Sequence, residues 1–313
     1  MRFRTLFLAT VSLLASAACL LGQQPQYRPL TEEQKQRMDA ALPDKAPAKP
    51  AKPRKLLVSN LSMRDGRIVR GHPSIPFGNY VIEQMGKRTG AYEVVVSDDV
   101  EMFRPGAIKQ FDAICFNNTA GVLTDDPELR KSLLDFIAGG GGFVGFHAAA
   151  ATFVQHPQYD QFPEFGRMVG GTENGGHPWG PDEPFTVKVD DPDNPINAAF
   201  GGRAFEASDE AYQLQEPSPR ERLHVLISID TGKSSIEGRR ILPIRRDDKD
   251  FPVSWIKPHG NGRVFYTTLG HNPHIFWDAK LLQHFLAGIQ YAVGDLQAGD
   301  TPDAQASRSG SSR

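Results

Sequence analysis

One stretch of the sequence, residues 133–152 (LLDFIAGGGGFVGFHAAAAT), constrains the fold more than any other. An apolar helical face ends at the glycine run 139–142, and a short apolar strand over 143–146 leads directly into His147. Helix, glycine turn and buried strand form the repeating unit of an open α/β sheet, in which ligands bind beside the carboxyl ends of the strands. The pattern therefore predicts an α/β fold with His147 at its ligand-binding edge. The alternative is a core strand that merely ends on a polar residue.

Predicted strands and helices alternate through the first half of the chain. Near-continuous apolar strands of this kind are typical of a parallel sheet covered by helices on both faces. The first-half elements are strands at 54–62, 92–97 and 112–117, helices at 76–87 and 107–111, and a helix that Asp126 caps before Pro127. The later elements are strands at 185–189, 211–214, 224–229, 241–244 and 253–256, a hairpin turn at Asn261-Gly262, a strand over 263–269 and an amphipathic helix over 278–293.

The N-terminus has the pattern of a secretory signal. Arg2 and Arg4 precede an apolar run and then small residues, which predicts a signal peptide over residues 1–22 and a secreted or periplasmic protein. Cys19 follows small residues, so lipoprotein anchoring through this cysteine is the alternative to soluble secretion.

Composition then divides the remaining chain. Residues 23–54 are rich in Pro, Ala and Lys and predict an extended or disordered linker, and residues 296–313 predict a disordered tail. The folded domain is expected over residues 55–295.

Charge and motif content exclude several functional classes. Lys and Arg number 35 against 37 Asp and Glu, and no basic stripe is present, which argues against a nucleic-acid partner. The glycine run 139–142 precedes its strand and has no Gly-Lys-Ser/Thr after it, so it is not a phosphate loop, and no GxGxxG with a downstream acidic partner supports a nicotinamide site. No Gly-x-Ser-x-Gly motif occurs, and Cys115 lies inside a predicted strand. Nicotinamide binding and serine or cysteine nucleophiles are therefore not expected.

Four histidines lie in predicted loops or at strand ends: His72, His177 and His271 beside Gly or Pro, and His147 at the end of the strand over 143–146. Any one of them alone is typical of a hydrogen-bonded structural histidine, but the set indicates a site. His147 is expected to stay neutral because the positive end of a following helix disfavours imidazolium. Glu210 is the best carboxylate candidate, and we expect it to converge with the four histidines. Zinc is left open, with His72, His147 and His177 as candidate ligands, although neither HExxH nor paired cysteines occur.

Five segments together resemble the trehalose-utilisation (ThuA-like) family. They are GGGGFVGFHAA (139–149), GHPSIP (71–76), Gly170-Gly171 with Gly176-His177-Pro178, Asp209-Glu210-Ala211-Tyr212, and NGRVFYTTLGH (261–271), and the resemblance extends in order from Lys55 to Gly294. It implies a class I glutamine amidotransferase-like, flavodoxin-like three-layer sandwich with a mostly parallel central sheet. His147 would occupy the elbow where amidotransferases carry their cysteine, so amidotransferase activity is not expected.

The resemblance also implies a carbohydrate ligand and functional association with a sugar oxidoreductase, while the oligomeric state stays open. The first hypothesis is an exported enzyme that acts on disaccharides or keto-glycosides by acid–base chemistry, as an isomerase, epimerase or lyase. The assigned roles are His147, Glu210 and His271 as catalytic residues, and His72, His177, Trp179, Asn118 and Tyr212 as substrate-binding residues. The alternatives are a noncatalytic carbohydrate-binding domain and a zinc-dependent hydrolase.

Overall fold

The computed structural model describes residues 27–155, 159–173, 176–214, 219–235 and 249–303. The predicted signal peptide and the predicted strand at 241–244 lie outside these residues. Among the helices of the described chain, none combines the length and the apolar character needed to span a bilayer.

Helices and strands alternate along the described chain. The helices are α1 (Glu32–Ala41), α2 (Ile75–Thr89), α3 (Pro105–Ile108), α4 (Pro127–Ala138), α5 (Pro163–Val169) and α6 (Ala279–Ala292). The strands are β1 (Lys55–Ser59), β2 (Met63–Arg64), β3 (Arg67–Ile68), β4 (Glu93–Val96), β5 (Ala113–Asn117), β6 (Gly142–Phe146), β7 (Val154–Gln155), β8 (Tyr159–Asp160), β9 (Pro184–Val189), β10 (Phe205–Ser208), β11 (His224–Ile229), β12 (Pro252–His259) and β13 (Gly262–Thr267).

Nine of these strands form one central sheet, in the order β10-β9-β11-β12-β13-β6-β5-β1-β4. The five strands from β13 to β4 run parallel, whereas β9 to β12 add an antiparallel extension. This arrangement confirms the predicted mixed α/β architecture. Because parallel strands end at the same edge, the residues that follow β5, β6 and β13 are neighbours there.

Two helices begin at an aspartate cap, and the cap at Asp126 is the predicted one. The Asp126 side chain accepts the Glu128 backbone N–H at the start of α4, with Pro127 at the first helical position. Asp278 accepts the N–H groups of Lys280 and Leu281 at the start of α6. Each cap satisfies backbone donors that have no partner within the helix.

The hairpin between β12 and β13 turns one residue earlier than predicted. Its turn residues are Gly260 and Asn261, and Gly262 already begins β13. A Cβ at Gly262 would lie 1.9 Å from the Ile137 carbonyl oxygen. Glycine is therefore needed at Gly262 for close backbone approach, not for the turn.

The predicted strand at 211–214 is wrong. The strand lies earlier, at β10, and residues 211 and 214 make only isolated bridges, with Trp179 and Glu173 respectively. Asp209 directly after β10 binds backbone N–H groups of another loop, and this contact redirects the chain out of the sheet.

The predicted disorder at both ends of the domain is wrong for the described residues. Thr31 forms a capping box with Gln34 at the start of α1, and Met38 of this helix is fully buried in the core. At the other end Leu296 is buried, and the Tyr291 hydroxyl donates to Asp300 over 2.7 Å. Single apolar anchors of this kind stabilise a chain whose composition alone predicts disorder.

His284 in α6 is a structural histidine whose burial makes stability depend on pH. Its Nε2 lies 2.9 Å from the Ser254 hydroxyl and its Nδ1 lies 3.1 Å from the Ile196 carbonyl oxygen. Burial lowers the pKa of His284 from 6.5 to about 4. Between these values the unfolded chain binds a proton that the folded chain does not. The free energy of unfolding should therefore fall by roughly 3 kcal/mol as the pH decreases from 6.5 to 4.

Urea unfolding at pH 7.5 and 4.5 measures this loss. A His284→Gln variant should be less stable than the wild type at pH 7.5 but should lose less stability on acidification. An equally steep pH dependence in both proteins would contradict the assignment.

Candidate functional site

Four predicted site residues converge at the carboxyl edge of the parallel strands. One ligand atom from each of His72, His147, His271 and Glu210 lies within 4.8 Å of the others. We call this group the His/Glu cluster. Its members come from four places in the chain: the loop before α2, the end of β6, the loop after β13 and the segment after β10. Contacts this distant in sequence depend on the whole sheet being folded.

His147 has one ring nitrogen whose protonation the backbone fixes. Its Nδ1 lies 2.8 Å from the Thr268 carbonyl oxygen, which can only accept, so Nδ1 carries the proton. Nε2 is therefore an acceptor, and the Tyr212 hydroxyl at 3.0 Å donates to it. A φ of +45° at His147 is unusual for a residue other than glycine and turns the chain sharply after β6.

Two of the imidazoles are neutral at pH 7. Burial is the main cause that lowers the pKa of His147, to about 4, and the nearby Glu210 carboxylate opposes it. Burial also lowers the pKa of His72, to about 3, with His147 as the next cause. The sequence predicted a neutral His147 because of a following helix terminus. Only a short 3₁₀ turn, His147–Ala151, begins there, and burial is the actual cause of the lowered pKa.

Glu210 links the histidines. Its Oε2 lies 3.5 Å from Nε2 of His147 and 3.5 Å from Nε2 of His177, and its Oε1 lies 3.4 Å from Nε2 of His271. Burial acts to raise the pKa of Glu210, but His147, His177 and His271 in their protonated forms outweigh burial and lower this pKa to about 2, so the carboxylate is ionised at pH 7. An ionised carboxylate thus faces the acceptor nitrogen of a neutral imidazole. Two electron-rich atoms in this arrangement favour a cation between them.

Asp209 holds the loop that carries His271. Its carboxylate accepts the backbone N–H groups of Gly270, His271 and Asn272 at 2.7, 3.2 and 2.8 Å. Burial raises the pKa of Asp209 to about 7, while these backbone bonds act to lower it. The sequence pattern indicated the Asp209-Glu210 pair as the carboxylate candidate but not this anchoring role. The only signal was an acidic residue directly beside the candidate Glu210.

Ser74 connects the loops of His72 and His271. Its buried hydroxyl donates to the Gly270 carbonyl oxygen over 2.7 Å. The sequence offered no signal for this contact beyond the position of Ser74 two residues after His72. The bond fixes the relative position of two members of the cluster.

His177 lies at the solvent side of the His/Glu cluster. Its side chain is 31% exposed and its ring stacks on Tyr212 with centroids 5.1 Å apart. His177 was a candidate metal ligand, but the cluster contains His271 in its place. The exposed ring beside Glu210 is suited to exchanging protons with a bound molecule.

The sequence suggested that Trp179 lies over the site, but the structure does not place it there. Trp179 is fully buried and its ring packs against Phe185 and Phe251, with the Phe251 centroid 5.0 Å away. Its large apolar surface is better satisfied in the core than on a loop. The expectation that it covers a sugar face is wrong.

Asn118 lies next to the loop of His271 in a strained backbone conformation, with φ of +61°. Its Nδ2 donates to the Gly270 carbonyl oxygen over 3.3 Å, and its buried Oδ1 has no hydrogen-bond partner. A buried acceptor without a partner is costly unless a ligand satisfies it. Substrate binding by Asn118 stays a prediction.

The His/Glu cluster fits a first-row transition metal. Metal–ligand bonds of about 2.1 Å place the ligands of a tetrahedral ion about 3.4 Å apart, so small side-chain rotations suffice to close the observed cluster. Imidazole nitrogens suit zinc, copper, iron and nickel, and a carboxylate completes common zinc sites. The Nδ1–H of His147 on the Thr268 carbonyl is the supporting hydrogen bond that metal-binding histidines normally make.

Comparison with known proteins agrees with this fold. The family model described as ThuA, trehalose utilisation, matches residues 65–292. Among solved structures, a ThuA-like protein from Bacteroides uniformis superposes with a TM-score of 0.60 at 23% identity, covering 79% of this chain and 94% of its own. A ThuA-like protein from Parabacteroides merdae gives 0.54 at 18% identity, with 78% and 91% covered. No curated protein matches the chain.

Proposed function

Because the chain belongs to the ThuA family of trehalose utilisation, we propose that it is a metal-dependent enzyme acting on a disaccharide or its keto derivative at the His/Glu cluster. The observation that carries the proposal is the convergence of three imidazoles and one ionised carboxylate within 4.8 Å. The neutral state of His72 and His147 supports it, because neutral imidazole is the form that binds metals.

The proposed reaction moves a proton next to a sugar carbonyl. A carbonyl acidifies the neighbouring C–H, so a base can remove that proton and leave an enolate. Return of the proton to the other face or the other carbon gives epimerisation or isomerisation, whereas loss of a substituent beside the enolate gives elimination. When bound, the metal supplies positive charge that stabilises the enolate oxygen.

We assign the proton transfer to His177 because its side chain is more exposed than that of His271, 31% against 21%, and it does not belong to the His/Glu cluster. Its Nε2 contacts Glu210, so the carboxylate can orient the ring and stabilise it when protonated. His147 would hold the metal through Nε2, and the Tyr212 hydroxyl, which donates to that nitrogen here, would then be available to donate to a substrate oxygen. Asn118 and its unpartnered Oδ1 would accept from a sugar hydroxyl.

A zinc-dependent hydrolase is the second candidate, and the same donor set favours it. In a hydrolase the bound metal would supply an activated water, in place of stabilising an enolate oxygen. A noncatalytic carbohydrate-binding domain is less well supported, because Trp179, the aromatic residue expected to form a sugar platform, is buried in the core.

Metal analysis of the purified protein tests the proposal. We expect about one equivalent of a divalent first-row metal per chain, removable by a chelator and restored by zinc with submicromolar affinity. Thermal-shift measurements against disaccharides and their keto derivatives should show stabilisation that is larger in the metal-loaded protein. A protein that binds neither zinc, manganese, iron nor nickel would overturn the metal-dependent function.

A further inference from the structure

An N-terminal segment outside the family match is built into the domain. This strap, residues 27–54, precedes the matched range of 65–292 and crosses two helices. Tyr80 of α2 donates through its hydroxyl to Asp39 in the strap over 2.9 Å. Gln290 of α6 pairs with Ala48 through both its amide oxygen and its amide nitrogen. The strap is therefore fixed relative to the sheet.

The first residue of the strap reaches the loop of a proposed metal ligand. The Tyr27 hydroxyl oxygen accepts the Gly71 backbone N–H over 3.0 Å. The Arg70 guanidinium lies 5.5 Å from the centroid of the Tyr27 ring, a cation–π contact. Both contacts hold residues immediately before His72.

The loop around Gly71 has little other support on its N-terminal side. The Val69 N–H donates to the Ser62 carbonyl oxygen, and the His72 carbonyl oxygen accepts from Ile75. Between these two bonds, the Tyr27 hydroxyl is the acceptor for Gly71. The approach is close, because a Cβ at Gly71 would lie 2.5 Å from the Ser62 hydroxyl oxygen and 3.1 Å from the Tyr27 hydroxyl oxygen. Small shifts of this loop therefore move the His72 ring.

We propose that Tyr27 is a positioning residue that holds His72 in the geometry required for metal binding, an inference that rests on the proposed metal centre. Tyr27 does not itself contact the His/Glu cluster in any described hydrogen bond. It acts through the backbone of Gly71, in the way that residues around a metal ligand fix its orientation. A segment beyond the family match thus contributes to the site.

Replacing Tyr27 by phenylalanine tests the role. The variant keeps the ring over Arg70 but removes the acceptor for Gly71, so we expect about tenfold weaker zinc binding in competition with a chromophoric chelator. The visible spectrum of the cobalt-substituted protein should also change, because the coordination geometry at His72 changes.

Tyr80→Phe is the matched control. It removes one hydroxyl contact between the strap and α2 without touching the loop of His72. Zinc affinity and the cobalt spectrum should equal those of the wild type. Equal losses in both variants would mean that the strap acts only through general stability and would overturn the proposal.

Hydrogen exchange at the Gly71 amide reports on the Tyr27 contact independently of metal binding. The Gly71 amide should lose protection in Tyr27→Phe and keep it in Tyr80→Phe, whether or not metal is present. If the wild type bound no metal, the proposed function and the role of Tyr27 in metal binding would both fail. Metal binding by the wild type with unchanged affinity in Tyr27→Phe would overturn the role of Tyr27 alone.

Discussion

Replacing His271 with alanine is expected to lower the affinity for zinc by about 100-fold or more, because loss of a direct ligand should exceed the 10–100-fold cost of losing an outer partner. The Nε2 of His271 lies 3.4 Å from Glu210 and belongs to the His/Glu cluster. The side chain is partly exposed, and the backbone of its loop is held by Asp209, so the variant should fold. Competitive titration with a chromophoric chelator measures the affinity.

His177→Ala is the matched control for this loss. His177 also contacts Glu210, at 3.5 Å, but it does not belong to the cluster. Its removal should lower zinc affinity by at most about tenfold, the lower end of the range for an outer contact. If His271→Ala retained affinity within that same range, or if His177→Ala lost as much, the assignment of ligands would be wrong.

The sequence predicted the part of the site that depends on strand ends. The glycine run before β6 and the polar residue after it located His147, since β6 is Gly142–Phe146 and the site lies at its carboxyl end. Loop histidines beside Gly or Pro likewise located His72 and His271. These assignments rest on local patterns that a strand and its following turn determine together.

The parts that could not be predicted depend on tertiary contacts. Asp209 is recognisable as an anchor only once the loop of Gly270 is packed against it. Trp179 was expected on a surface, but it packs against Phe185 of the following strand β9 and against Phe251, which comes from a distant segment. The strap has the composition of a linker, and a few anchors such as Met38 override that composition.

The order of the antiparallel strands was equally hidden. The sequence predicts β9, β11 and β12 as separate strands, but it does not show that they pair in the order β9-β11-β12 and join the parallel strands through β13. In particular, β10 lies beside β9 at one edge, and the chain leaves it directly into Asp209 and Glu210. The carboxylate of the site is thus delivered by an edge strand that the sequence pattern placed several residues too late.

His177→Ala is expected to abolish most proton transfer while leaving the metal in place. Removal of a general acid–base group typically lowers the rate by about 10²- to 10⁴-fold, and we expect a loss in this range. The assay follows incorporation of deuterium from D₂O next to the carbonyl of a keto-disaccharide, measured by NMR. The His177 side chain is 31% exposed, so the position of the missing ring is open to solvent. Added imidazole should therefore restore part of the rate.

The control for this experiment is His274→Ala, which removes an exposed histidine of the 3₁₀ turn Pro273–Trp277 that lies outside the His/Glu cluster. It should exchange deuterium at the wild-type rate. Undiminished exchange in His177→Ala would assign the proton transfer to another group, and Glu210 would then be the remaining base beside the substrate. The zinc-dependent hydrolase would instead be favoured if the metal-loaded wild type showed no deuterium exchange but hydrolysed a disaccharide. In that case water, and not a C–H bond, would be the group activated at the His/Glu cluster.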